Sequence, residues 1–312
     1  MRIRQSVFDV PIQDEVELAQ QAQVLLKEMS SLPTKSQILE LTQTHSPDIA
    51  TRCFFDSLRR SEKHGPIISE IEHQSVTPNK SLKDICLYII PGMFYKEHPE
   101  LGTNGELVKT VAEKFNIEVK IINTASVGTI VENSKILAQE LSKKRHSKVW
   151  LLSISKGSCD VQRFLQSQRG ENKITGWIDI AGVHKGVPFI DKAFDSVLSR
   201  IYLRLISVFF GINYSVFKEL RCSETHWQNR HWPSDLEAIH VVPVPLKSHV
   251  HNTILRRYKQ TLSHGPNDGF IPLTDVLEMP GAVYPIWGHD HYLRAPCLSE
   301  LLHKLFNYIK TR

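Results

Sequence analysis

Hydrophobic positions in the first third of the chain recur at helical steps. Val16, Ala19, Ala22, Leu25, Leu26 and Met29 lie three and four residues apart, which predicts an amphipathic helix that Pro33 stops. Ser46 followed by Pro47 has the form of a cap and first-turn pair, and predicts a further helix through Leu58. After a polar stretch over 73–83 the pattern changes to short apolar runs at 85–90, 119–122, 149–154, 176–180, 241–244 and 283–287. Runs this short and this apolar are how strands buried on both faces read. Helical patterns near 105–115, 130–144, 157–168 and 298–310 are interleaved with them. That alternation predicts βαβ units: an α/β fold with a mostly parallel sheet, right-handed crossovers and helices covering both faces.

One interval is longer than a crossover needs. Between the fourth and fifth runs, over roughly 190–235, Phe194, Val197, Leu198, Ile201, Leu205, Val208, Phe209 and Ile212 form a broad apolar helical face. An insertion at that point lies beyond the carboxyl ends of the strands, where open α/β sheets bind ligands, so it is read as a helical cap. The expected division is an N-terminal helical extension over 1–80 and an α/β domain over 81–312 that carries the cap. The cap face suits three uses: sheltering an acyl chain, contacting a membrane surface, or packing on the sheet.

Composition narrows the class. With 312 residues, 41% hydrophobic and 23% charged, the chain is an ordinary globular one rather than disordered or fibrous. The excess of 38 basic over 33 acidic residues, +5, is small and scattered, so no nucleic-acid partner is expected. There is no G-x-G-x-x-G and no phosphate loop, which argues against a nucleotide cofactor; none of any kind is expected. The most apolar stretch, 201–212, is broken by Arg204, Ser207 and Gly211 and falls short of the ~20 residues a bilayer-spanning helix needs. The first residues lead into no apolar signal core. Five widely spaced cysteines, Cys53, Cys86, Cys159, Cys222 and Cys297, cannot all pair, so reduced thiols and a cytoplasmic location are expected.

The candidate chemistry begins at residues 149–158, Val-Trp-Leu-Leu-Ser-Ile-Ser-Lys-Gly-Ser, where an apolar strand runs directly into a helix. Ser153-Ile154-Ser155-Lys156-Gly157 is close to G-x-S-x-G, whose small residues permit a tight turn that raises the central serine. Ser155 is then the nucleophile, and the backbone N–H of Lys156, at a helix N-terminus, an oxyanion donor. Taken alone, the segment also reads as a plain strand-to-helix turn with a serine cap. A serine nucleophile further needs a base, an acid and a second oxyanion donor. Met93, after Pro91-Gly92, is the candidate donor; Asp268, in Asn267-Asp268-Gly269, is the candidate acid, with Asp275 its rival; His289 and His291 compete as the base. The Lys156 side chain is expected to be solvated, and Cys159 to be a packing residue. Neither Cys222, His226 and His231 nor His289-Asp290-His291 has a strong zinc spacing, so no metal is expected.

These pieces, in this order, resemble the α/β-hydrolase family, particularly its lipase-like serine esterases, over about residues 83–312. Gly182-Val183-His184-Lys185-Gly186-Val187-Pro188 also resembles the segment such members carry before their cap. The resemblance implies a Ser-His-Asp triad acting through an acyl-enzyme on a small-molecule ester or lipid-like substrate, and Asp290-His291-Tyr292-Leu293 favours His291 as base. Three features depart from the pattern: Ser153 replaces a glycine, Pro91 stands where many lipases have histidine, and Asp268 lies some way past the fifth strand. Two other readings of the same residues are a catalytically silent member of the fold and an amide or thioester hydrolase.

Overall fold

The computed structural model describes residues 12–29, 32–143, 148–167, 174–228, 230–294 and 296–309. In chain order its elements are α1 (Ile12–Lys27), α2 (Lys35–Thr44), α3 (Pro47–Arg60), α4 (Gly65–Glu72), β1 (Ile85–Ile90), α5 (Glu106–Glu113), β2 (Glu118–Ile121), α6 (Ile130–Ser142), β3 (Lys148–Ile154), α7 (Gly157–Ser167), β4 (Gly176–Ile180), α8 (Pro188–Phe194), α9 (Val197–Phe209), α10 (Tyr214–Glu219), β5 (Glu237–Val244), α11 (Asn252–Thr261), β6 (Ala282–Trp287) and α12 (Cys297–Tyr308). The sheet order is β2-β1-β3-β4-β5-β6, and the β1–β2, β1–β3 and β3–β4 pairings are parallel. All six apolar runs are strands. The fifth extends further back than its apolar stretch, because Glu237, Ala238 and His240 continue the extended backbone.

The chain packs as two compact units. One comprises Glu70–His240 and Arg294–Arg312 and holds β1 to β4. Every residue of β1 and β4 is buried, as is β3 from Val149 onward, which is why these runs show no polar alternation. Gly176 is dictated by packing, since a Cβ there would come within 2.5 Å of the Trp150 ring. Helix α7 packs on β3 and β1, α6 on α7, and α5 on α12. Phe115 and Phe306 meet edge to face at 5.6 Å within this core.

The other unit comprises Met1–Ser69 and Val241–Leu293. Its α3 begins as the Ser46-Pro47 pair predicts: Ser46 Oγ accepts from the Ile49 N–H and Pro47 opens the helix. Ala50, Cys53, Phe54 and Leu58 on one face of α3 are fully buried, with α1 and α2 packed against the helix. Lys247 N donates to Asp48 Oδ1 and Val283 N to His64 Nδ1, and the Arg52 guanidinium lies 5.0 Å over the Trp287 ring. The N-terminal helices thus share a core with residues 241–293. Helices α2 and α4 fall within the helical extension expected over 1–80, whereas α11 lies outside every helical pattern read from the sequence.

Candidate active site

At the β3–α7 junction, Ser155 adopts φ +51°, the left-handed region that an L-residue enters only under constraint. Three backbone bonds supply that constraint. Ser155 N donates to Ile180 O at 2.9 Å, while its carbonyl accepts from Ser158 N at 3.0 Å and Val183 N at 3.3 Å. Gly157 is required by close approach: a Cβ would lie 2.5 Å from Ile90 O and 2.7 Å from Pro91 O. The serine replacing the first glycine of the motif also has a physical account. Ser153 is fully buried, with Oγ accepting from Trp177 Nε1 at 2.8 Å and donating to Asp179 Oδ1 at 2.7 Å, so its hydroxyl is satisfied on both sides.

Lys156 requires a correction. Its side chain was expected in solvent, yet it is only 4% exposed, with Nζ 2.7 Å from Asp160 Oδ1. One helical turn separates the two residues, and the inward-facing carboxylate draws the ammonium in with it. Burial pushes Asp160 up to about 6, against the lowering charge and hydrogen bond of Lys156 and the hydrogen bond from Asn133. The main-chain donors proposed for an oxyanion lie in the same unit. Gly92 N donates to Thr103 O at 3.0 Å, and Phe94 takes φ +63°, so the chain bends sharply around Met93. Among the described residues, the N–H groups of Met93 and Lys156 have no backbone acceptor.

In the other unit the structure joins Asp268 to His291. Asp268 Oδ2 lies 2.7 Å from His291 Nδ1, its Oδ1 accepts from Phe270 N at 2.9 Å and Ile271 N at 2.8 Å, and the His291 N–H donates to Asp268 O at 2.9 Å. Both residues are buried. Asn267 and Gly269 shape the loop: Asn267 Nδ2 donates to Tyr258 O, its Oδ1 accepts from Gly269 N, and Gly269 turns at φ +110° beside Ile254. Asp290 holds the histidine turn, Oδ2 accepting from His251 N and Oδ1 from Tyr292 N. The rival acid Asp275 is engaged elsewhere, 2.5 Å from Lys35 Nζ of α2. His289 is half-buried in the same turn as His291.

A second buried constellation escaped the sequence reading. Asp179 Oδ2 lies 2.7 Å from His184 Nε2 and 3.1 Å from His240 Nδ1, while Oδ1 takes the Ser153 hydroxyl. Burial alone would raise Asp179, but hydrogen bonds and charge from the two imidazoles hold it well below the usual carboxylate range. Its three potential ligand atoms lie within 4.8 Å of one another, and it is the one such group among the described residues. Two histidines and a carboxylate suit a divalent transition metal. As folded, however, both carboxylate oxygens are already occupied by hydrogen bonds. The available signal was an aspartate in a fully apolar strand and a histidine in another, since buried polar groups must find partners. Of the metal candidates weighed from sequence, Cys222 instead donates its N–H to Asp191, and the His226 ring lies 4.3 Å from Trp227. Burial pushes the Cys159 thiol well above its ordinary value, as expected for a packing residue rather than a nucleophile.

No family model and no curated protein matches the sequence. Solved structures do. The chain is similar to a metagenomic carboxyl esterase, MGS0156, at TM-score 0.60 and 14% identity, with 76% of this chain and 78% of that one covered. It is also similar to the mature form of the Bacillus licheniformis lipase BlEst2, at TM-score 0.53 and 16% identity, covering 73% and 91%. The chain has the α/β-hydrolase fold.

Proposed function

We propose that this protein is a serine hydrolase that cleaves carboxylic esters of small or lipid-like molecules. The observation that carries this reading is Ser155 in a left-handed backbone conformation, on a strand-to-helix turn that only Gly157 can close. In the proposed mechanism Ser155 Oγ attacks the ester carbonyl as His291 takes the hydroxyl proton. Because Asp268 engages Nδ1, the accepting nitrogen is Nε2. Asp268 fixes the tautomer and stabilises the imidazolium. The main-chain N–H groups of Met93 and Lys156 bind the tetrahedral oxyanion, and the imidazolium returns its proton to the departing alkoxide. Water then attacks the acyl-enzyme by the same proton path, releasing the acid and restoring Ser155.

The sequence order Ser155, Asp268, His291 supports the assignment, as do the esterase and lipase neighbours in fold. The test is labelling by a fluorophosphonate, which phosphonylates an activated serine. Wild type is expected to label and to hydrolyse a p-nitrophenyl acyl ester, and Ser155→Ala to do neither. Labelling that persists in Ser155→Ala, or its absence from folded wild type, overturns the reading; the latter result would favour a silent binding protein.

A further inference from the structure

We propose that α9 is a docking face for an anionic lipid bilayer, lying in the plane of the membrane surface. The helix buries very little of itself. Leu198, Ile201, Leu205, Val208, Phe209 and Phe210 are all exposed, with Leu198 at 78%, Val208 at 84% and Phe209 at 83%. Its opposite side carries buried Ser207 and half-buried Leu203 and Ile206, and that narrow side is where it packs. Large aliphatic and aromatic side chains on adjacent turns leave one continuous apolar strip, and soluble domains seldom expose such a surface unless something covers it. The cap therefore does not pack this face on the sheet, one of the uses its sequence allowed.

Charge identifies the occupant. From Ser196 through Lys218 there is no acidic residue, whereas Arg200, Arg204 and Lys218 are basic. All three are exposed, and the cations of Arg204 and Lys218 lie 5.3 and 5.5 Å over the Tyr214 ring, which holds them beside the strip. An apolar strip edged by cations matches a surface with acyl chains beneath a layer of anionic headgroups. A second copy of the helix matches poorly, because two-fold self-packing would bring Arg200 and Arg204 of each protomer toward the same like-charged groups. Thirteen residues at 1.5 Å each make a helix of roughly 20 Å, too short to cross a bilayer, and no helix among the described residues is long and apolar enough to do so. The geometry is that of a helix resting on the surface. Docking in this way does not depend on the hydrolase reading and is measured without turnover.

The test is co-sedimentation of the full chain with vesicles of phosphatidylcholine alone, and with vesicles of phosphatidylcholine and phosphatidylserine at about 3:1. Wild type is expected to sediment with the mixed vesicles and to lose the association at high salt. Leu205→Ser with Phe209→Ser is expected to reduce partitioning by at least about tenfold, because both side chains leave the apolar phase. Arg200→Gln with Arg204→Gln is expected to reduce it roughly fivefold per charge on mixed vesicles and to leave the phosphatidylcholine arm unchanged. These residues are exposed, so the variants are expected to keep the wild-type circular dichroism, and the arginine pair gives an independent reading if the serine pair fails to fold. Wild type that stays in the supernatant overturns the proposal, as does equal sedimentation with both vesicle types. Dimerisation of wild type in light scattering that Phe209→Ser abolishes, with no vesicle binding, assigns the strip to a second copy and likewise overturns it.

Discussion

Asp268 and Asp179 each sit 2.7 Å from an imidazole nitrogen, and each is buried. The bond length does not separate them; what surrounds it does. Asp268 belongs to a loop, and its second oxygen is held by two main-chain N–H groups, so the residue orients a single imidazole through Nδ1. Asp179 lies in β4 with a second histidine on Oδ2 and a serine hydroxyl on Oδ1, so every strong bond it makes is to another buried side chain. A carboxylate held by main-chain donors and paired with one imidazole is equipped to orient that ring, whereas one enclosed by three side-chain donors is equipped to tie strands together. An Asp–His distance alone therefore identifies no catalytic pair.

The strongest way to break this comparison is kinetic. Asp268→Asn is expected to lower kcat by about 10⁴ through loss of the tautomer and of imidazolium stabilisation. Asp179→Asn is expected to lower it by less than about tenfold. Ester hydrolysis measured on both variants checks this, and a reversal of the two effects would exchange their roles. Stability should rank them the other way. Asp179→Ala leaves two imidazoles and a hydroxyl without their acceptor, and is expected to cost about 3–5 kcal/mol in urea denaturation, as breaking a buried ion-paired cluster does.

A finer test uses pH. Asp179 is depressed in the fold, so its stabilisation is present above the ordinary carboxylate value of 3.8 and is lost as pH falls below it. Asp160 is raised to about 6, so its folded state binds the extra proton and its contribution runs oppositely: full below 3.8, lost as pH rises through about 6. Between those values the urea midpoint of wild type should therefore fall relative to that of Asp160→Asn, and the slope rather than the level carries the result because Lys156 loses its partner in the variant. The smallest effect belongs to Ser153→Gly, which restores the common residue of the motif. It removes the hydroxyl between Trp177 Nε1 and Asp179, and a loss of about 1–3 kcal/mol in thermal or urea unfolding is expected despite the closer match to the usual pattern.

Much of the fold was legible because strands buried on both faces, such as β1, β3 and β4, write themselves as short, mainly apolar runs, and a strand lies at each of the six runs. The Ser46-Pro47 start of α3 was legible for a local reason, since a cap acts on backbone two or three residues away. The short helix α11 was not, because tertiary packing rather than a long apolar period selects it. At the site, Ser155 and Gly157 could be read from spacing, as both answer to a single tight turn. The inward course of Lys156 could not, because it depends on how deep α7 lies against the sheet; nor could the Asp179–His184–His240 cluster, whose members are separated by as many as 61 residues.

The sequence by itself determined the strands, the elbow and the order of the candidate groups, all set by interactions among near neighbours or by the need of apolar runs to leave water. Tertiary structure alone decided that Asp179 gathers His184 and His240, why a serine is accepted where glycine is usual, and that the apolar side of α9 faces outward. Those are questions of pairing and burial. Their answers depend on the few ångströms between groups distant in sequence, and the linear order of residues does not contain that distance.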